Sequence, residues 1–289
     1  MQITGRTVLY FTIGHPVAQV RAPEVFNRAF ADGGVDAVVV PALVAPQHLE
    51  AFVRATFASP TVQGFFVSIP HKAPLLALAD RATPAARRAG AANAARRAAD
   101  GAIEVDLLDG EGFVRALRHF AIAPDAGRAL LLGAGGAACA IGAALALAGA
   151  RAIDFYDSAP GKAAAAAARI GAGTAASCRA VASPDPAGCT LVVNATPMGL
   201  KPDDPLPVAV EALAPDTALV DIIMTPRPTR LVELARRRGL RAHPGYEMLI
   251  QQVPLYLRFF GHAALADRME SDLSGLRRAL APPGGTAAA

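Results

Sequence analysis

The feature that most constrains this chain is a short apolar run that ends in a glycine turn. Ala129-Leu130-Leu131-Leu132 leads directly into Gly133-Ala134-Gly135-Gly136-Ala137-Ala138. A continuous apolar run suits a strand buried on both faces, as in a parallel sheet covered by helices. The turn fits G-x-G-x-x-A between a strand and a helix, the context in which that spacing has a physical meaning. Gly133 permits the tight turn, Gly135 lets backbone approach a pyrophosphate, and small Ala138 lets the helix sit close to the sheet. The helix N-terminus adds N–H donors and partial positive charge. A glycine turn that merely packs well would show the same pattern, so the next strand carries weight. It spans Ala152–Tyr156 and runs into Asp157, 24 residues after Gly133. A carboxylate there accepts hydrogen bonds from the adenine-ribose hydroxyls of a dinucleotide. A 2′-phosphate at about 4 Å would be repelled by about 1 kcal/mol in water and about 4 kcal/mol at an effective dielectric of about 20. No arginine follows immediately, although Lys162 and Arg151 are near in sequence. NAD is therefore expected over NADP.

The rest of the chain repeats the strand–helix rhythm. Before the glycine turn, strands are expected at Val8–Ile13, Ala37–Val40 and Gly64–Ile69, with helices near Pro23–Asp32 and Pro46–Thr56. After it come an Ala/Leu helix to Gly149 and a helix over Gly161–Ile170. Strands at Leu191–Asn194 and Leu219–Ile223 and a helix over Thr229–Arg238 follow. The end reads as helices Glu247–Phe260 and Ala263–Leu280, with a frayed tail Ala281–Ala289. Alternation of this kind implies mostly parallel sheets with helices on their faces.

Composition narrows the partners. At 53% hydrophobic and 18% charged residues, the chain can bury a core and does not have the balance of a disordered one. Apolar stretches are interrupted before 18 residues except from Gly133 to Ala150, where alanine is too weakly apolar for a membrane span. Met1–Arg6 lacks the basic-then-apolar pattern of a signal peptide, and a cytoplasmic location is expected. Three cysteines without C-x-x-C spacing argue against a disulfide framework or zinc site, so no metal is expected. Net charge is +4, yet only three of 28 basic residues are lysines and the arginines are scattered. The densest run, Arg236-Arg237-Arg238, falls on a helix where a solvated face explains it, so no nucleic-acid partner is expected.

Seven short motifs in order then resemble the shikimate/quinate dehydrogenase family. They are Ile13-Gly14-His15-Pro16-Val17-Ala18, Ser68-Ile69-Pro70-His71-Lys72 (family T-V-P-x-K) and Ala89-Gly90-Ala91-Ala92-Asn93 (A-G-A-V-N). Asp109-Gly110 matches the end of D-N-T-D-G, and Gly133–Ala137 matches G-A-G-G-A. Asn194-Ala195-Thr196-Pro197-Met198-Gly199 (N-A-T-P-x-G) and Gly245–Gln252 (G-x-x-M-L-x-x-Q) complete the set. The resemblance implies a two-domain α/β protein. Residues 1–109 form an α/β substrate domain with a mostly parallel sheet, 110–246 a Rossmann NAD(P)-binding domain, and 247–289 helices returning to the first domain. It implies reversible hydride transfer between a nicotinamide and a ring alcohol of shikimate, quinate or a related cyclic polyol. Its partner is then a small molecule, and the chain a monomer or homodimer. A non-catalytic nucleotide-binding or sensor protein on the same fold is the alternative.

Carried over residue by residue, Lys72 and Asp109 occupy the catalytic positions. Oxidising an alcohol releases a proton as hydride leaves, which a coupled ammonium–carboxylate pair can manage. A plain ion pair would present the same two residues, and the proton is assigned to neither. Ser68, Asn93 and Gln252 match substrate-binding positions. Gly133, Ala134, Gly135, Gly136, Ala137, Asp157, Asn194, Thr196, Pro197, Met198 and Gly245 match cofactor-binding ones.

Six polar family positions have become apolar. The S-x-S-P serines are Val20 and Ala22 around Arg21, the tyrosine of D-x-x-Y-x-P is Met224, and the N-V-T asparagine is Phe66. The N-T before Asp109 is Leu107-Leu108. A buried carboxylate without donors costs about 1–3 kcal/mol for each unsatisfied group. Either Arg21 serves as a bidentate replacement, or the substrate lacks that carboxylate or places it elsewhere.

Overall fold

A computed structural model describes residues 2–280 apart from Gln19, Ala126 and Pro226. The tail at 281–289, expected to fray, lies outside the described residues. The chain divides into two compact units, one ending at Leu108 and resuming over Val253–Asp272, the other Asp109–Gln252 with the segment from Leu273.

In the first unit, strands β1 (Val8–Gly14), β2 (Ala37–Leu43), β3 (Val62–Val67), β4 (Arg81–Ala82), β5 (Ala94–Arg97) and β6 (Ile103–Asp106) form one sheet. Its order is β2-β1-β3-β5-β6-β4. β1 pairs in parallel with β2 and β3, and β4 with β6, while β5 runs antiparallel to both its neighbours. The β5–β6 pair was not expected, since Ala94-Ala95-Arg96-Arg97 lacks the β-branched residues that signal a strand. Helices α1 (Ala22–Gly33), α2 (Leu49–Phe57), α3 (Lys72–Ala77) and α4 (Pro84–Ala89) lie between the strands in sequence.

Tyr10, Phe26, Phe66, Tyr256 and Phe260 build an aromatic core in this unit. Phe66 sits 4.4 Å from Phe26, 4.8 Å from Tyr256 and 4.9 Å from Phe260, centroid to centroid. Each such pair is worth about 0.5–1.5 kcal/mol beyond burial alone. Phe66 is therefore a core residue here, which accounts for an apolar side chain where the related family has asparagine.

The second unit contains β7 (Arg128–Leu132), β8 (Ala152–Tyr156), β9 (Ser177–Ala180), β10 (Leu191–Asn194), β11 (Ala218–Asp221) and β12 (Ala242–Pro244). The order is β12-β11-β10-β7-β8-β9, with every neighbouring pair parallel. This is the doubly wound arrangement, with its switch point between β7 and β10. Leu130, Leu131 and Leu132 are fully buried, as the apolar run required. Helices α5 (Leu108–His119), α6 (Gly136–Leu147), α7 (Pro160–Gly171), α8 (Arg230–Arg237) and α9 (Tyr246–Phe259) follow in order; α9 crosses the boundary between the units at 252/253.

The final helix expected over Ala263–Leu280 is two, α10 (Ala263–Ser271) and α11 (Ser274–Leu280). Asp272 adopts extended backbone (φ −147°, ψ 102°) and ends α10. The terminal stretch is thus divided, α10 belonging to the first unit and α11 to the second.

α5 rests directly on α6. A Cβ at Gly110 would overlap the Ala140 carbonyl oxygen and crowd the Ala144 side chain. Gly110→Ala should therefore cost about 1–3 kcal/mol of stability, as overpacking does. A urea titration followed by circular dichroism reads this, and an unchanged midpoint would show that the contact yields freely.

Candidate active site

The glycine turn stands at the switch point. Gly133 has φ +100°, a region that favours glycine, and a Cβ there would press on the Ala195 carbonyl at 2.9 Å. Its N–H donates to Tyr156 O at 2.7 Å, and Ala195 N–H donates to Leu132 O at 2.9 Å. The loops after β7, β8 and β10 are thereby laced together. Gly135 and Gly136 are exposed, with no atom within 4 Å of where a Cβ would stand. Gly135 caps α6 without a side-chain hydrogen bond, so the first-turn N–H groups of that helix remain available as donors. Ala134 and Ala138 are buried and Ala137 half-buried. Open space above two glycines at a helix N-terminus suits the pyrophosphate of a dinucleotide.

Asp157 follows β8. Its Oδ2 accepts from Ala134 N–H at 2.8 Å and its Oδ1 from Ala159 N–H at 2.9 Å. The carboxylate therefore braces the glycine turn.

Asn194 is fully buried at the end of β10. Its Oδ1 accepts from Thr196 N–H and Oγ1–H (3.1 and 2.6 Å), and its Nδ2 donates to Met198 O and Asp221 Oδ1 (both 3.0 Å). The carboxamide is spent on shaping the loop, with Pro197 and Met198 exposed on it. Asp221, the aspartate that opens the D-x-x-Y-x-P stretch, anchors the next loop. It accepts from Asn194, from Ile223 N–H at 3.1 Å and from Thr229 Oγ1–H at 2.6 Å. Burial pushes its carboxyl up, against the lowering effect of these hydrogen bonds. Its signal was an Asp and an Asn at the ends of two adjacent strands. Met224, on that loop, is 44% exposed. Tyr246 Oη–H donates to Thr225 O at 2.6 Å, and buried Gly245 packs against the Ile222 backbone.

Asp109 (7% exposed) lies in the first turn of α5, one residue from the Gly110–α6 contact. Gln252 (4% exposed) lies on α9, its Cγ over Gly112. Asp109, Gln252, the glycine turn and Met224 thus belong to the second unit.

Ser68, Lys72, Asn93 and Arg21 belong to the first. Ser68 N–H donates to Ile13 O at 2.8 Å and Ser68 O accepts from His71 N–H at 3.0 Å, which folds the segment into the start of α3 at Lys72. Ala92 N–H donates to Lys72 O at 2.8 Å. Asn93 (1% exposed) accepts at Oδ1 from Leu108 N–H at 2.8 Å, while its carbonyl accepts from Val67 N–H and Tyr256 Oη–H. The backbone thus gathers Lys72 and Asn93 beside the end of β3. Arg21 precedes α1 and is engaged with Glu24, Nε and Nη2 lying 3.1 and 3.0 Å from Oε2.

Together these features define a dinucleotide-binding Rossmann unit with a separate α/β unit carrying a lysine and hydrogen-bonding side chains. Residues 12–95 match the shikimate dehydrogenase substrate binding domain. Over 288 residues the chain is 38% identical to shikimate dehydrogenase (NADP(+)) of Rubrobacter xylanophilus, covering 98% of this chain and 99% of that one. Shikimate 5-dehydrogenase of Listeria monocytogenes, solved with shikimate and NAD, superposes with a TM-score of 0.84 at 27% identity, covering 93% and 98% of the two chains. The 5-ketofructose reductase of Gluconobacter sp. strain CHM43 gives 0.82 at 29% identity, covering 93% and 99%. The chain belongs to the shikimate dehydrogenase family and is a nicotinamide-dependent oxidoreductase. The non-catalytic alternative is not favoured, since these relatives are named as enzymes. Nor do the relatives support the preference for NAD expected from Asp157, the Rubrobacter enzyme being named for NADP(+). Among the described residues no helix is long and apolar enough to cross a membrane.

Gly135→Ala tests the dinucleotide cradle. The added methyl points into open space, so stability should hold within about 0.5 kcal/mol. Dinucleotide affinity should fall at least about tenfold, equivalent to about 1.4 kcal/mol. Fluorescence titration reads the affinity, and unaltered binding would mean that no ligand comes close to this backbone.

Proposed function

We propose that this chain catalyses reversible hydride transfer between a nicotinamide dinucleotide and a ring alcohol of shikimate or a related cyclic polyol. The observation that carries the reading is the seating of α5 on α6, which makes Asp109 part of the same compact unit as the glycine turn. When bound, the dinucleotide accepts or supplies the hydride. Lys72 and Asp109 act as one coupled acid–base unit, taking the hydroxyl proton as the carbon is oxidised and returning it on reduction. With Asn93 Oδ1 engaged by Leu108, its Nδ2 is the donor turned to a substrate hydroxyl. The Ser68 hydroxyl and the Gln252 carboxamide supply further hydrogen bonds. Gly133–Ala137 receive the pyrophosphate. Asn194 and Thr196 hold the loop that presents Pro197 and Met198 to the dinucleotide, and Gly245 lets α9 approach it.

A second reading concerns the substrate's acid group. Arg21 pairs with Glu24 at the surface, and Val20, Ala22 and Met224 offer no hydroxyl. This favours an altered carboxylate site and extends the substrate class to uncharged polyols and ketoses, in line with the structural relative named for 5-ketofructose. Initial rates with shikimate, quinate and an uncharged ketose, each with NAD(H) and NADP(H), test both readings. Lys72→Ala should lose about 10²-fold or more of the rate. Turnover equal to the parent enzyme in that variant would remove the catalytic assignment.

For the cofactor, we take NADP as the favoured form, following the relatives' names, with NAD accepted. Asp157 narrows that margin through repulsion of a 2′-phosphate, softened because both its oxygens already accept backbone N–H groups. Asp157→Asn should raise the NADP-to-NAD ratio of kcat/KM about tenfold. An unmoved ratio would take Asp157 out of cofactor selection.

A further inference from the structure

The second unit contains an ion pair between a buried carboxylate and a half-buried guanidinium that the proposed chemistry does not use. Glu247, in the first turn of α9, is 6% exposed. Its carboxylate accepts three hydrogen bonds: Oε2 from Arg277 Nε at 3.0 Å, and Oε1 from Arg277 Nη2 and Gln251 Nε2, both at 2.7 Å. Burial would raise its carboxyl, but hydrogen bonds from Arg277 and Gln251 and the nearby positive charge bring it below the ordinary carboxylate value. Arg277 comes from α11, and its Nη2 also lies 3.5 Å from His119 Nδ1. His119 is the last residue of α5, and its Nε2 stands 3.9 Å from Glu247 Oε2. One guanidinium therefore ties the end of α5 to the beginning of α9.

Those two helices carry Asp109 and Gln252. Their packing leaves little slack at the other end of α5, where a Cβ on Gly112 would stand 2.5 Å from Gln252 Cγ and 2.8 Å from Met248 O. Close backbone contact sets how near α5 and α9 approach. A contact of this kind sets a distance more than an orientation. The bidentate pair of Arg277 on α11 with Glu247 on α9 is directional, and the same guanidinium reaches His119 at the end of α5 at 3.5 Å.

We infer that Arg277 is a positioning residue that, through Glu247, fixes α9 and with it the Gln252 carboxamide relative to Asp109. It touches neither substrate nor dinucleotide. The inference rests on the reading of Gln252 as a substrate-binding group. It predicts a selective defect, because the glycine turn and α6 are held by other contacts.

The test compares Arg277→Ala and Arg277→Lys with the parent enzyme, on whichever alcohol the parent turns over. The readouts are substrate KM, kcat, dinucleotide Kd and thermal unfolding. Arg277→Ala should raise substrate KM about tenfold or more and leave dinucleotide Kd within about twofold. Arg277→Lys keeps the charge but loses the bidentate fork, and should fall between the two. Substrate KM unmoved in both variants overturns the inference, as does a parallel rise of KM and dinucleotide Kd, the mark of general loosening. Should Arg277→Ala fail to fold, Arg277→Lys decides alone: an intermediate KM with unchanged Kd supports the inference, and a parent-like KM overturns it. A parent enzyme inactive on every alcohol would instead strike at the proposed function.

Discussion

The second unit is organised by the absence of a side chain at Gly133. β7 and β10 are neighbours whose connections leave in different directions, so the loops at their ends diverge and leave a crevice. The chain must turn sharply there while passing the Ala195 carbonyl closely, with its φ in the left-handed region. Any Cβ would push the two loops apart and spoil the alignment of α6. Once the turn is made, Gly135 and Gly136 lie bare at the start of a twelve-residue helix, with Asp157 bracing the turn from the next strand.

Polar burial fixes the surrounding loops in a complementary way. Asn194, Asp221 and Thr229 form a closed set of hydrogen bonds at the ends of β10 and β11 and the start of α8. Each group is buried, and each would be costly to leave unsatisfied, so the network holds the two loops in a single arrangement. The Met224 and Met198 side chains are exposed on those loops, and only the Met198 backbone takes part in the network. This separates shape from chemistry: residues that build the loop are saturated, and residues displayed on it are free to vary with the substrate. Such a division lets side chains on these loops differ while the fold is retained.

Much of this was legible in the sequence. The apolar run at Ala129–Leu132, the glycine turn and the strand leading to Asp157 stood in the expected places, because a buried parallel strand and a tight turn each demand particular residue types locally. Expectations failed where local preference was weak. The β5–β6 pair is built partly from alanine and arginine and owes its existence to β3 alongside it. α10 and α11 carry a helical pattern throughout, yet the chain breaks at Asp272. Phe66 looked like a change in a binding site, but its ring lies among Phe26, Tyr256 and Phe260.

By itself, the sequence determined the class of fold and the dinucleotide-type turn, since each depends on the identity of one residue or a few neighbours. Only the tertiary structure decided what those residues are free to do. The sequence does not show that the Asn194 carboxamide makes four hydrogen bonds within its loop, or that Arg21 pairs with Glu24. The same holds for Gly110, Gly112 and the Glu247–Arg277 pair, whose partners lie about 30 or more positions away. Hydrogen-bond satisfaction and close packing belong to pairs of groups brought together by folding, and no single position in a chain records its partner.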